Sequence, residues 1–337
     1  MFCNQCEETV KGTGCTVKGV CGKDDEIAAY QDVLIHVCKG IAIRNLAAMK
    51  HGRGDPQAGL FLSDALFSTL TNVNFDKVRF TELINRAVAI RDALPASGSP
   101  EPDACTWKPA GEGHILMKAK TVGILATENE DVRSLRSTLL FGLKGIGAYY
   151  THAAVLGKTD DAITGFIQKA LASLLQDLPV PDMVALVLEC GEYGVKVLAL
   201  LDDANTSAYG KPEITNVKTT VGTRPGILIT GHDLKDLEML LEQSKDAGLD
   251  IYTHGEMLPA HAYPAFKKYP HLYGNYGGSW PHQKEEFEQF NGPVLFTTNC
   301  LVPPKDTYKG RLFTTGLTGF SGVPNIEAGP GGKKDFS

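Results

Sequence analysis

Cys3, Cys6, Cys15 and Cys21 crowd the start of the chain in a C-x2-C-x8-C-x5-C pattern, half of its eight cysteines. Soft thiolate donors in this number suit an iron–sulfur cluster or a structural zinc. Structural zinc usually shows two short C-x2-4-C knuckles. Here one knuckle is followed by isolated Cys15 and Cys21, which fits an iron–sulfur cluster better. Gly12, Gly14, Gly19 and Gly22 let the loop wrap such a cluster. A disulfide knot is the third reading and suits small secreted domains; Met1-Phe2-Cys3 carries neither a basic stretch nor an apolar run, so no secretory signal is visible.

A second constellation lies in the last third. Gly226–Gly231 (GILITG) is a short apolar run that ends at His232-Asp233, and Leu249–Thr253 (LDIYT) ends at His254-Gly255-Glu256. Pro293–Thr298 (PVLFTT) ends at Asn299-Cys300, and Arg311–Thr315 (RLFTT) is a fourth run. Short strands alternating with helical segments imply a parallel, doubly wound sheet, where ligands bind beyond the carboxyl ends of the strands. Three successive runs thus finish on imidazole, carboxylate and thiolate: His232, Glu256 and Cys300. All three are transition-metal ligands. Taken singly, each fits an incidental cap, core or solvated residue; together, at the carboxyl ends of parallel strands, they could converge on one sheet edge. The aromatic and glycine-rich stretch 261–280 reads as a long loop that screens a site.

The elements that must position these residues divide by periodicity. Ile27, Tyr30, Leu34, Cys38 and Ile41 recur at helical spacing, and residues 57–71, 76–94, 160–176 and 181–203 read as further helices. Residues 95–112 are a Pro/Gly-rich break. Thr127 and Glu130 form a capping-box pattern ahead of the periodic Val132, Leu135, Leu139, Leu143 and Ile146, and Gly157 is the expected stop. Cys38 and Cys190 fall on apolar stripes as core residues, and nothing places Cys105 near chemistry. The expected architecture is all-α helical bundles over 1–218, with the cluster loop at 1–22, followed by an α/β Rossmann-like domain with a mainly parallel sheet over 219–337.

The 337 residues suffice for two or three domains, and 43% hydrophobic with 21% charged residues is an ordinary globular composition. A net charge of −6 argues against nucleic acid or an anionic membrane as a partner. No apolar run approaches the ~20 residues of a membrane span. A reducing, cytoplasmic setting is the expected localisation, since thiols persist there.

Taken together, the cysteine pattern and the segments LFSTLTNVNFD (66–76), GILATENEDVRSLR (123–136), ALLDDANTSAYGKPEIT (199–215), PGILITGHDL (225–234), YTHGEMLPAH (252–261) and TTNCLVPP (297–304) resemble the hybrid-cluster (prismane) proteins of the hydroxylamine reductase family. The resemblance implies that Cys3, Cys6, Cys15 and Cys21 hold a [4Fe–4S] cluster. It implies that His232 of the GHDL motif, Glu256 of HGEMLPA and Cys300 of TTNC ligate a hybrid [4Fe–2O–2S] cluster. It further implies two-electron reduction of a small N–O substrate, hydroxylamine to ammonia and water or nitric oxide to nitrous oxide, fed by a redox electron donor. His254 and His261 could deliver protons, or simply hydrogen-bond within the site. A carbon monoxide dehydrogenase-like role fits the amino-terminal motif less well. The family's third domain supplies three more cysteines and a second glutamate, and no cysteine follows Cys300 here. The expectation is therefore a fragment of a longer enzyme, or one of two chains. The alternative is a [4Fe–4S] electron-transfer module or a non-catalytic remnant.

Overall fold

A computed structural model describes residues 1–98 and 100–337; Ser99, inside the expected break 95–112, lies outside the described residues. The chain forms two compact units. One comprises Met1–Leu70, Asp76–Ala154 and Lys158–Leu201; the other comprises Thr71–Phe75, Val155–Gly157 and Asp202–Ser337.

The first unit is helical, as its 3.6-residue periodicity requires. Helix Asp25–Met49 runs through its centre, with Val33, Leu34, Val37 and Ile41 wholly buried. Each such side chain contributes about 1.5–3 kcal/mol relative to exposure. Helices Pro56–Ser68, Lys77–Ala93, Glu112–Val122 and Asp161–Ser173 pack around it. Asp24, Asp55, Asp76 and Asp160 accept backbone N–H bonds at four helix starts.

Helix Glu130–Val155 departs from the expected cap. Asn129, not Thr127, caps it, with Asn129 Oδ1 accepting from the Val132 amide at 3.0 Å. Thr127 instead serves Arg136, whose guanidinium donates to its hydroxyl at 3.1 Å. The Pro/Gly-rich break holds a short helix, Asp103–Thr106, pinned by fully buried Arg91, which donates to the carbonyls of Ala104 (3.1 Å) and Trp107 (2.7 Å). Cys38, Cys105 and Cys190 are all buried.

The second unit carries the sheet. Strands β2 (Gly226–Thr230), β3 (Asp250–His254), β4 (Leu272–Asn275), β5 (Val294–Phe296), β6 (Leu312–Thr315) and β8 (Asn325–Ile326) lie in the order β4-β3-β2-β5-β6-β8, every neighbouring pair parallel. This is the doubly wound order, with its reversal between β2 and β5. A separate parallel pair joins β1 (Asn74–Phe75) to β7 (Gly319–Phe320). The stretch expected as a loop over 261–280 contains β4, whose pairing with β3 gives it order. The boundary expected at 218 falls at Leu201/Asp202. The reason is Tyr209, which ends helix Val180–Tyr209, is buried in the core of the sheet unit and stacks on Phe266 at 4.8 Å.

Close helix packing makes one glycine irreplaceable. A Cβ at Gly40 would sit 2.1 Å from the Ala104 carbonyl oxygen, whereas one at Gly165 meets nothing within 4 Å. Gly40→Ala should therefore destabilise by about 1–3 kcal/mol. Gly165→Ala, inside helix Asp161–Ser173, should stabilise by about 0.5–1 kcal/mol. Thermal unfolding of the two variants checks the pair: a Gly40→Ala protein melting at or above the parent would refute the packing argument.

Candidate functional site

The amino-terminal cysteines share one loop. Cys3 and Cys15 form an antiparallel bridge, with Cys15 N donating to Cys3 O at 2.8 Å and Cys3 N to Cys15 O at 3.1 Å. Burial raises the Cys6 thiol pKa, and the neighbouring Cys21, Cys3 and Cys15 add to the rise. Two lysines close the loop from the bundle side. Lys23 Nζ lies 3.8 Å from Cys3 Sγ, and Lys144 Nζ donates to Gln5 Oε1 at 3.1 Å. Buried ammonium groups beside four thiols suit a bound group of net negative charge, which a thiolate-ligated cluster is.

The second site follows from parallel register. Thr230 of β2 stands opposite His254 of β3 and Phe296 of β5, so the residues just past each strand meet at one edge. Gly231 makes the turn out of β2 at φ +108°, and a Cβ there would strike Thr297 Oγ1 at 2.4 Å. His232 follows, and Asp233 caps helix Leu234–Ser244 through the amides of Lys235 and Asp236. His232 Nε2 lies 2.7 Å from Glu256 Oε2, and Cys300 Sγ lies 3.8 Å from the same oxygen. The structure thus brings together all three strand-end residues, at the reversal between β2 and β5 and on β3 beside it.

Neighbours orient each donor. Thr298 Oγ1 lies 2.8 Å from His232 Nδ1 and 3.1 Å from the Asn299 carbonyl oxygen. The Nδ1 contact holds the ring so that Nε2 faces Glu256. The His232 hydrogen bond holds the Glu256 carboxyl below its usual range, against the opposing effect of burial. Burial, then the Glu256 charge, pushes the Cys300 thiol up to about 12. Asn299 Nδ2 lies 3.5 Å from Cys300 Sγ, and Gln283 Nε2 donates to the Cys300 carbonyl at 2.6 Å.

A cavity of about 310 Å³ opens beside these residues, lined by Thr230, His254, Glu256, Asn275, Trp280 and Cys300 among others. His254 is fully buried between Glu286 (2.8 Å from Nε2) and the Thr230 hydroxyl (3.3 Å from Nδ1). Burial lowers its pKa and Glu286 pulls the other way. Glu286 carried no signal in the sequence, standing in a charged helical segment. His261 does not line the cavity; it hydrogen-bonds Thr253 at 2.9 Å. A larger cavity, about 480 Å³, lies in the helical unit, and none of the candidate residues lines it. Among the described residues, no group of three or more His, Cys, Asp or Glu is already set to hold a metal ion. The donor types fit iron; the geometry is that of side chains hydrogen-bonded to one another.

The model of the Prismane/CO dehydrogenase family matches residues 1–337. The chain belongs to this family. Hydroxylamine reductase of Desulfitobacterium hafniense (strain DSM 10664 / DCB-2) is 55% identical over 347 residues, covering 100% of this chain and 63% of the relative. That of Thermoanaerobacter pseudethanolicus (strain ATCC 33223 / 39E) is 55% identical over 345 residues with the same coverage. That of Clostridium botulinum (strain 657 / Type Ba4) is 50% identical over 369 residues, covering 65% of the relative. The chain therefore spans slightly less than two thirds of these relatives. Carbon monoxide dehydrogenase IV from Carboxydothermus hydrogenoformans aligns with 97% of this chain at 13% identity and a TM-score of 0.37. Membership in the prismane family implies iron–sulfur chemistry. No helix among the described residues is long and apolar enough to cross a membrane.

The Cys300 environment is directly testable in metal-free protein. With the thiol pushed up to about 12, alkylation of Cys300 at pH 8 should be slow. The Glu256 charge contributes to that rise, so Glu256→Gln should lower the thiol pKa and speed alkylation at fixed pH. Peptide mapping after iodoacetamide pulses across a pH series reads this out; an unchanged profile in the variant would remove Glu256 as a cause.

Proposed function

We propose that this chain is part of a hydroxylamine reductase, with Cys3, Cys6, Cys15 and Cys21 holding a [4Fe–4S] cluster and His232, Glu256 and Cys300 forming part of a hybrid-cluster site. The observation that carries the second assignment is the convergence of His232 Nε2 and Cys300 Sγ on one Glu256 oxygen, at 2.7 and 3.8 Å. The relatives named above support the reaction class. Hydroxylamine takes up two electrons and two protons, the N–O bond breaks, and ammonia and water leave. Reduction of nitric oxide to nitrous oxide is the variant of this reading.

When bound, the clusters supply the two electrons and a Lewis-acidic iron. The chain's own residues do the rest. Thr298 fixes the ring of His232, so that Nε2 points at the site. Asn299 and Gln283 hold the Cys300 segment by side chain and backbone. His254, in the cavity wall with Glu286 behind it, is placed to pass a proton inward. His261 serves the packing of β3 instead, through Thr253. The further ligands that the family resemblance implies are expected on the portion of the relatives this chain does not span. Without them, the chain acts as a [4Fe–4S] electron-transfer module.

Anaerobic reconstitution with iron and sulfide tests both parts. Residues 1–337 should take up about four irons, the content of one cluster at the amino-terminal loop. Cys15→Ser should lose most of that iron and loosen residues 1–22, measurable by hydrogen exchange. Supplying the remaining portion of a relative, in cis or in trans, should raise the iron content toward twice that value and bring hydroxylamine reduction with it. Zinc without iron at these thiols would refute the cluster assignment. Full turnover by residues 1–337 alone would refute the division of ligands.

A further inference from the structure

Two lysines beside the amino-terminal loop are buried without a hydrogen-bonded carboxylate. Lys23 is 2% exposed and Lys144 5% exposed. Lys23 Nζ donates to Gln31 Oε1 at 2.7 Å and reaches Cys3 Sγ at 3.8 Å. Lys144 Nζ donates to Gln5 Oε1 and to the Thr69 carbonyl, both at 3.1 Å. Every oxygen they meet is neutral, and buried charges are ordinarily paired. The buried carboxylate of Asp32 acts on both lysines through space, with no hydrogen bond to either. Two ammonium groups have thus been desolvated at some cost beside a loop whose other conspicuous feature is four thiols. One carboxylate, Asp32, faces two ammonium groups, and the remaining positive charge would be balanced by what the thiols hold.

We propose that Lys23 and Lys144 are positioning residues that set the reduction potential of the amino-terminal cluster, Lys23 through a charge-assisted hydrogen bond to Cys3 Sγ and Lys144 through its buried charge. The inference rests on the reading that the four cysteines hold a redox-active cluster. Adding one electron makes the loop more negative by one unit of charge; no bond forms or breaks, and the electron comes from an external donor. Nearby positive charge and N–H···S bonds both stabilise the more negative state and so raise the potential. A purely structural role is the rival: Lys144 also ties the loop residue Gln5 to Thr69 at the end of helix Pro56–Ser68.

Charge and shape are separated by Lys23→Met, Lys144→Met and the two Lys→Arg variants. The readout is the midpoint potential of the cluster's electron paramagnetic resonance signal in a dithionite-poised redox titration of the chain, with iron content measured alongside. Each Met variant should keep its iron and shift the midpoint to lower potential. The double Met variant should shift further, and each Arg variant should stay near the parent. Should a Met variant lose its iron while the matching Arg variant keeps it, positive charge is what retains the bound anion, which supports the proposal. An unchanged midpoint in both iron-loaded Met variants overturns it. Loss of iron from Met and Arg variants alike also overturns it, in favour of lysine shape. A parent protein without iron fails at the earlier step, the cluster assignment, and is told apart by that.

Discussion

The parallel ladder between β2 and β3 is the constraint on which the candidate site depends. With Thr230 opposite His254, the residues two further along each strand, His232 and Glu256, arrive side by side at 2.7 Å. The same strand pairs with β5 on its other side, and the ladder runs one step past the assigned strand, Thr297 N donating to Thr230 O at 3.0 Å. Three backbone directions are thereby locked together before any side chain makes a contact. A slip of one residue in either pairing would turn these side chains to opposite faces of the sheet.

Threonines finish what the ladder begins. Thr230, Thr253, Thr297, Thr298, Thr314 and Thr315 crowd the carboxyl ends of the strands, and all six are buried. Their hydroxyls bond His254, His261, the Thr230 carbonyl, His232, the Pro324 carbonyl and Asp236 respectively. A hydroxyl on a β-branched side chain suits this place, since it packs on a strand and still satisfies a buried polar neighbour. Asp236 draws on both Thr315 and Lys334, so the helix that follows His232 is tied to β6 and to the carboxyl-terminal segment as well.

Much of this was legible in the sequence because the signals were periodic. Four apolar runs marked β2, β3, β5 and β6, and the doubly wound rule turned their endings into a site containing His232, Glu256 and Cys300. Strand β4 escaped because Leu272–Asn275 contains a glycine and follows a run of aromatic residues, so its order comes from pairing with β3 and not from local preference. The cap of helix Glu130–Val155 was misplaced because Thr127 satisfies the capping-box spacing while Asn129, nearer the helix, reaches the Val132 amide. The buried lysines and Glu286 left no trace at all. A charged residue in a helical or loop segment reads as solvated, and only the fold shows that Lys23 and Lys144 point inward. Side-chain burial against the polarity of the residue is a tertiary fact.

The position of β2 in the sheet has a kinetic meaning. It is bonded along both edges, whereas β4 and β8 each have one neighbour. Native-state opening proceeds in cooperative pieces, and the pieces with fewest partners detach first. Fraying that peels away either outer strand leaves the β3-β2-β5 trio closed, and His232, Glu256 and Cys300 all issue from that trio. Breathing at the margins of the sheet is thus uncoupled from the arrangement of the three donors, which disperse only when the innermost amides of the unit become free to exchange with solvent.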